Sequence, residues 1–321
     1  MTLGESGLHV PRTWDEVRPL LRSILRPATY ASLLKAGDAI AWRLVATNFL
    51  HELVAVDLPD RRLIVTIDNT AMWGVTDTDI FTAGRENVAQ MHPLSANEPG
   101  AGGAFFDADR SSYVTSAILT PGWLASFAEP DGPRPLAFVP NEDMLIVGYD
   151  DPDEAPGLFD AAEKMYLESE RNVSPEGFTV CGGQVVPFDK AGPHPLRQRA
   201  IQARTCAAVR QYSEQADFLN QVYQEELVEV FVASTEVLDL GYGKGSAAVW
   251  GEGVIYDLPE VDYLFFVNND GHFAVPFSVV VDLTGIQPTT GFFPPRYRVT
   301  GWPEPTVMAA LRAHAVTLPA G

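Results

Sequence analysis

The stretch "WGVTDTDIFTAGRENV", residues 73–88, holds an Asp-x-Asp pair, Asp77 and Asp79, of the kind that grips a divalent metal in nucleotide-sugar enzymes. A catalytic pair of that kind usually follows an apolar strand and sits in a loop beside other ligands. Here Ile80 follows at once and no glycine-rich nucleotide loop lies upstream. Thr76 stands three residues before Asp79, the spacing of a capping box, and two acids in a first turn complement the positive end of the helix dipole. The pair is therefore expected to open a helix, with Thr76 as its cap, and no metal is assigned to it.

Other segments invite chemistry and fail on spacing. In "YDDPDEAPG", 149–157, an EF-hand loop counted from Asp151 would put Ala155 at the fifth position, Pro156 at the sixth and Ala162 at the twelfth, where a ligand, a glycine and a glutamate are needed. An acidic turn feeding a helix is the better reading. "GYGKGS", 241–246, has a lysine and three glycines, but Lys244 precedes Gly-Ser and "AAVW" follows as a strand, so a strand-to-strand loop is expected in place of a phosphate loop. Ser246, in "GKGSAA", lacks the second flanking glycine of a nucleophile elbow. His9, His51, His92, His194, His272 and His314 are scattered singly, without metal-binding spacing. Cys206 falls within a helical pattern and Cys181 stands beside Gly182-Gly183; both are read as free thiols with no base to activate them. Tyr242, Trp250, Tyr256, Phe292, Phe293, Tyr297 and Trp302 suit the core of a sheet, and would be the place to look for a binding surface. No catalytic, cofactor-binding or metal-ligating residue is assigned.

The elements that would position any site follow from composition and period. With 321 residues, 46% hydrophobic and 20% charged, the chain can bury a large core, and its length fits two domains or one large one. No apolar run approaches the roughly 20 residues of a membrane span and the N-terminus lacks a signal-peptide pattern, so a cytoplasmic location is expected. Net charge is −20, distributed unevenly: residues 63–170 carry 4 Lys/Arg against 19 Asp/Glu, and 171–213 carry 6 against 2. Such a field disfavours nucleic acid and anionic lipid and would favour a basic protein partner.

Residues 13–26 read as an amphipathic helix capped by Thr13, with Arg18, Arg22 and Arg26 on a solvent face. Residues 50–58 and 61–68 read as a hairpin about Pro59-Asp60, and 77–91 as a helix ended by His92-Pro93. A surface loop is expected over 93–104, then two strands around a turn at 108–112, a short helix opened by Thr120, two strands around Asn141–Asp143, and a helix from Ala155 to about Arg171. The Gly/Pro-rich stretch 173–196 reads as a connector. Beyond it, a long helix or a broken pair leads into strands at "LVEVFVAST", "SAAVWG", "GVIYD", "DYLFFV", "HFAVPFSVVVDL" and "RYRVTGW", with a hairpin turn at 268–271 and a final helix opened by Pro305. The fold expected is α+β: mixed sheets against helices, with an N-terminal unit 1–172, the connector, and a largely antiparallel C-terminal unit 197–321.

The run "LHELVAVDLPDRRLIVTIDNTAMWGVTDTDIFTAGRENV" resembles the central segment of the YtpQ-like family of bacterial proteins. It carries that family's hairpin, its Gly-Val-Thr step at Gly74–Thr76 and its Asn-Val pair at Asn87-Val88. "AILTPGWLASFAEP", "PLAFVPNEDMLIVGYDDP" and "LFDAAEKMYLESE" resemble later pieces in the same order, so that the likeness spans roughly residues 40–172. It implies membership of a family without assigned chemistry, and leaves 197–321 unexplained. The function expected is a non-catalytic protein-binding or regulatory, immunity-like factor with an acidic surface; the alternative is a hydrolase whose site is assembled only in three dimensions.

Overall fold

The computed structural model describes residues 11–32, 40–91, 103–106, 113–129 and 132–318. The first sheet joins β1 (Leu21–Pro27), β2 (Trp42–Val45), β3 (Thr47–Leu58) and β4 (Arg61–Ile64), with β3 central and every pairing antiparallel. Residues 13–26 are thus not one helix. A short α1 (Trp14–Val17) and a 3-10 turn over 18–20 give way to β1, which pairs with β3 along its whole length. Both faces of β1 are buried, so tertiary pairing overrides a sequence period that would also suit a helix. The arginines do not form a solvent stripe either. Arg22 donates to the carbonyls of Pro19 and Leu21, and Arg26 is buried against Glu142 at 3.0 Å.

α2 (Thr29–Ser32) follows β1, and α3 (Ile67–Trp73) follows β4. α3 ends at Gly74, whose φ of 68° lets the chain reverse and start α4 (Asp77–Met91), the helix expected there. Gly84 of α4 lies so close to β1 that an added Cβ would stand 2.8 Å from Ser23 Oγ. The second sheet has the order β5-β7-β6-β8-β9, all antiparallel: β5 (Gly103–Phe106), β6 (Pro135–Asn141), β7 (Met144–Tyr149), β8 (Asn172–Cys181) and β9 (Gln184–Pro187). α5 (Ala155–Glu168) packs Phe159, Ala162 and Tyr166 against it. Residues 114–119, expected as strand, form a buried 3-10 turn, and 124–127 form another in place of the short helix. The expected turn at 108–112 and the loop up to 102 lie outside the described residues.

The stretch 173–196 is not a connector. Residues up to Cys181 belong to β8, an inner strand of the second sheet, and Gly182 and Gly183 make the β8–β9 hairpin turn. After it runs α6 (Arg197–Glu226), unbroken over 30 residues and so roughly 45 Å long. α6 ties both halves of the chain together through side-chain amides. Gln211 donates to Phe49 O and accepts from Ala28 N, while Gln215 donates to Pro294 O.

The C-terminal half contains two sheets. One has the order β11-β12-β14-β15, from β11 (Glu236–Asp239), β12 (Lys244–Gly251), β14 (Tyr263–Asn268) and β15 (Gly271–Pro276). The other has β10 (Phe231–Val232), β13 (Tyr256–Pro259) and β16 (Arg296–Val299). Three of the pairings are antiparallel, and β10–β13 and β12–β14 are parallel. "PFSVVVDL" continues as α7 (Phe277–Thr284) rather than as strand; its apolar side chains join Leu258, Leu264 and α8 (Pro305–Ala313) in one core. The fold is α+β, with helices against mostly antiparallel sheets.

Arg296 fastens α6 to this half. It is fully buried and donates to Gln215 Oε1, Tyr212 O, Ala233 O and Asp257 O at 2.6–3.0 Å. Burial lowers its pKa to about 10, and the four acceptors hold the guanidinium in place.

Candidate functional site

Pro175 and Gly177 are poor residues for a central strand, because one lacks an N–H and the other packs no side chain. The sheet accommodates them with a bulge. β6 pairs Phe138 with Gly177 and Val139 with Ser174, so Pro175 and Glu176 have no partners across the ladder. Ser174 Oγ accepts from the displaced Glu176 amide at 3.2 Å. The absence of a Cβ at Gly177 lets the rings of Phe138 and Phe159 close on the backbone, where an added Cβ would meet both at 3.0 Å.

The bulge places Glu176 in the wall of a cleft of about 720 Å³. A second wall is the β2–β3 turn, where Ala46 takes a left-handed φ of 61° and delivers Thr47. α6 supplies Arg204, Thr205 and Ala208; the 3-10 turn after β9 supplies Asp189 and Lys190. Ser246 of β12, Glu260 to Asp262 before β14, the α7 face from Phe277 to Asp282, and Tyr297 close the far side.

Glu176 is only 2% exposed. Its Oε2 accepts from Thr47 Oγ1 at 3.2 Å and from Ser174 Oγ at 3.1 Å, while Oε1 has no partner. Burial, reinforced by the nearby charge of Asp189, pushes its pKa up to about 7, against the opposing pull of Ser174, Arg204 and Thr47. Thr205 Oγ1, another buried atom at the cleft, is also without a partner. Arg204 bridges two carboxylates, Asp189 Oδ2 at 2.5 Å and Asp262 Oδ1 at 3.1 Å. Asp262 Oδ2 accepts from Ser246 N at 2.8 Å and Oγ at 2.9 Å. Glu260 Oε2 accepts from Asn48 Nδ2 at 3.2 Å and from Tyr297 OH at 3.4 Å, and burial together with Glu260 raises the tyrosine to about 12. The cleft thus holds one proton-retaining carboxyl beside carboxylates engaged by Arg204, Asn48, Ser246 and Tyr297, an arrangement suited to moving protons.

The residues singled out from sequence lie elsewhere, with two exceptions. Asp77 and Asp79 begin α4; Thr76 N and Oγ1 donate to Asp79 Oδ2 at 2.8 and 2.7 Å, and these bonds lower the exposed carboxyl's pKa. Asp151 closes the turn before α5 through its backbone and side chain. Among the described residues no group of three His, Cys, Asp or Glu is arranged to hold a metal ion. His51 is buried between Trp42 and Phe293 with both ring nitrogens unpartnered, and burial lowers its pKa to about 4. His194 contacts Asp150 at 3.5 Å, His272 is exposed on the β14–β15 hairpin, and His314 caps α8. His9 and His92 lie outside the described residues. Cys181 is exposed at the β8–β9 turn, and Cys206 is pushed up to about 11 by burial. Gly241–Gly243 turn between β11 and β12. Trp250, Tyr256 and Trp302 belong to the C-terminal core, whereas Tyr242 is 69% exposed. Only Ser246 and Tyr297 reach the cleft: Ser246 as a hydrogen-bond partner of Asp262 rather than a nucleophile, and Tyr297 from the C-terminal core to which it also belongs. Glu176, Arg204, Glu260 and Asp262 carried no motif. The available signal was Ser-Pro-Glu-Gly inside an apolar, strand-like run, which marks a bulge and the side chain it re-aims.

No protein-family model, curated protein or solved structure matches this chain.

Proposed function

We propose that the protein is a hydrolase-type enzyme whose site is the cleft around Glu176, with Glu176 as proton carrier. One observation supports this reading above the others: a buried carboxyl that keeps its proton near neutrality, one of its oxygens without a partner, lines a cleft large enough for a small molecule. Glu176 gives its proton to the leaving group, and a second carboxylate of the cleft, Glu260, takes a proton from the attacking water. The test is a panel of chromogenic esters, amides and glycosides assayed from pH 5 to 9 with the wild type, Glu176→Gln and Asp262→Asn. Turnover that falls as pH rises through about 7 and is lost in Glu176→Gln supports the reading. Turnover of nothing in the panel, or turnover indifferent to Glu176, overturns it.

A second reading rests on the charge of −20: binding of a basic protein by the acidic surface, in a regulatory role. Its test is salt-sensitive capture of a stoichiometric basic partner. With it go the proposals that residues 40–172 are YtpQ-like, on the sequence resemblance, and that the protein works in the cytoplasm without nucleic acid. No described helix is long and apolar enough to cross a membrane.

A further inference from the structure

The charges around the cleft do not cancel. Glu176, Asp189, Glu260, Asp262 and Asp282 face Lys190 and Arg204. Arg204 is committed to Asp189 and Asp262, and Asp262 is further satisfied by Ser246. What remains at the cleft is acidic: Glu260, the exposed Asp282 of α7, and Glu176, whose buried Oε1 has no partner, against Lys190 alone. Phe49, Ala208, Val261 and Val281 supply apolar surface between these groups. An unpartnered buried acceptor in an acidic, partly apolar cavity calls for a ligand that brings its own N–H donors, positive charge and a carbon skeleton.

We propose that the cleft binds a small organic cation, a primary ammonium or guanidinium on an aliphatic frame, whose N–H groups pair with Glu176 Oε1 and Glu260. The inference rests on the cleft being the working site, and the cation is a ligand that switches this site off rather than its substrate, because it takes from Glu176 the proton that catalysis uses. Binding draws the Glu176 proton off, because an ammonium beside the carboxyl favours its ionised form. The groups that already face Glu176 are Asp189 from the turn after β9, Arg204 from α6, Tyr166 from α5, Ser174 of its own strand and Thr47 of β3. Ionisation near pH 7 makes the free site about tenfold more receptive at pH 8 than at pH 6.

Calorimetric titration of the full chain tests this with 1,4-diaminobutane and agmatine as cations, 1,4-butanediol as the neutral control and an Arg-containing tripeptide as the side-chain source of the same group. Saturable binding of a cation, absent for the diol, strengthening about tenfold from pH 6 to 8 with proton release, supports the proposal. So does loss of that pH dependence in Glu176→Gln and weaker binding in Glu260→Gln, the second variant guarding against a folding defect in the first. Tighter binding of the tripeptide than of agmatine assigns the cation to a peptide side chain. Equal binding of the diol, or no binding of any cation at pH 8, overturns it. The function proposed above fails separately: cations that bind while no ester, amide or glycoside is cleaved sink the hydrolase and leave the cation site standing, and Glu176-dependent turnover without cation binding does the reverse.

Discussion

Replacing Glu176 with Gln should make the folded protein more stable at pH 8 and leave it nearly unchanged at pH 5. The carboxyl titrates near its ordinary 4.5 in the unfolded chain and near about 7 when folded, so between those values the folded state holds a proton the unfolded state has released. Stability therefore falls as pH rises through this window and levels off above it. The difference amounts to about 3 kcal/mol of ionisation cost carried by the wild type at pH 8, at roughly 1.4 kcal/mol per pH unit. Gln keeps the size and an oxygen acceptor for Thr47 and Ser174 but never ionises. Allowing about 1 kcal/mol for a less well satisfied amide, the variant should gain about 2 kcal/mol at pH 8. Urea unfolding followed by circular dichroism at pH 5, 6, 7 and 8 measures it. Stability curves for the two proteins that run parallel across this range would refute the argument, because they would mean that burial does not hold the proton on Glu176.

Gly177→Ala should destabilise by about 1–3 kcal/mol, since its Cβ meets two phenylalanine rings at 3.0 Å in a packed core; thermal unfolding of the variant checks it. Arg296→Ala removes one donor each from Gln215 Oε1 and three carbonyls in a fully buried site and should cost about 3 kcal/mol or more, read from the urea midpoint. Thr76→Ala removes the α4 cap and should cost about 0.5–2 kcal/mol, with no change in the melting temperature of either protein on adding magnesium; a magnesium shift lost when both aspartates become Asn would restore the metal reading.

The elements with strong local signals were legible from the chain. α4 begins at Thr76 because its cap chemistry is contained within four residues, and β3–β4 turn at Pro59-Asp60 because the turn chemistry is local. β1 and α7 were misread because their side chains suit either conformation and only partners far along the chain decide: β3 for the one, the C-terminal core for the other. The α+β class survives such errors, since it depends on the mixture of elements and not on each of them. The cleft was illegible for the same reason. Glu176, Arg204 and Glu260 lie on β8, on α6 and beyond β13, and no spacing within one segment could join them. Reading 173–196 as a linker hid the one local clue, because proline and glycine punctuate loops and mark strand bulges alike.

The ladder is regular on both sides of the bulge, with Ser174 opposite Val139 and Gly177 opposite Phe138. Excising Pro175 and Glu176 would make those two residues neighbours and, because two is the period of a strand, would turn no side chain to the wrong face. The acid of the cleft is in this sense an inserted part. A chain lacking these two codons could keep the sheet and lose the buried acid, so that descent of the fold and descent of the cleft's chemistry need not coincide.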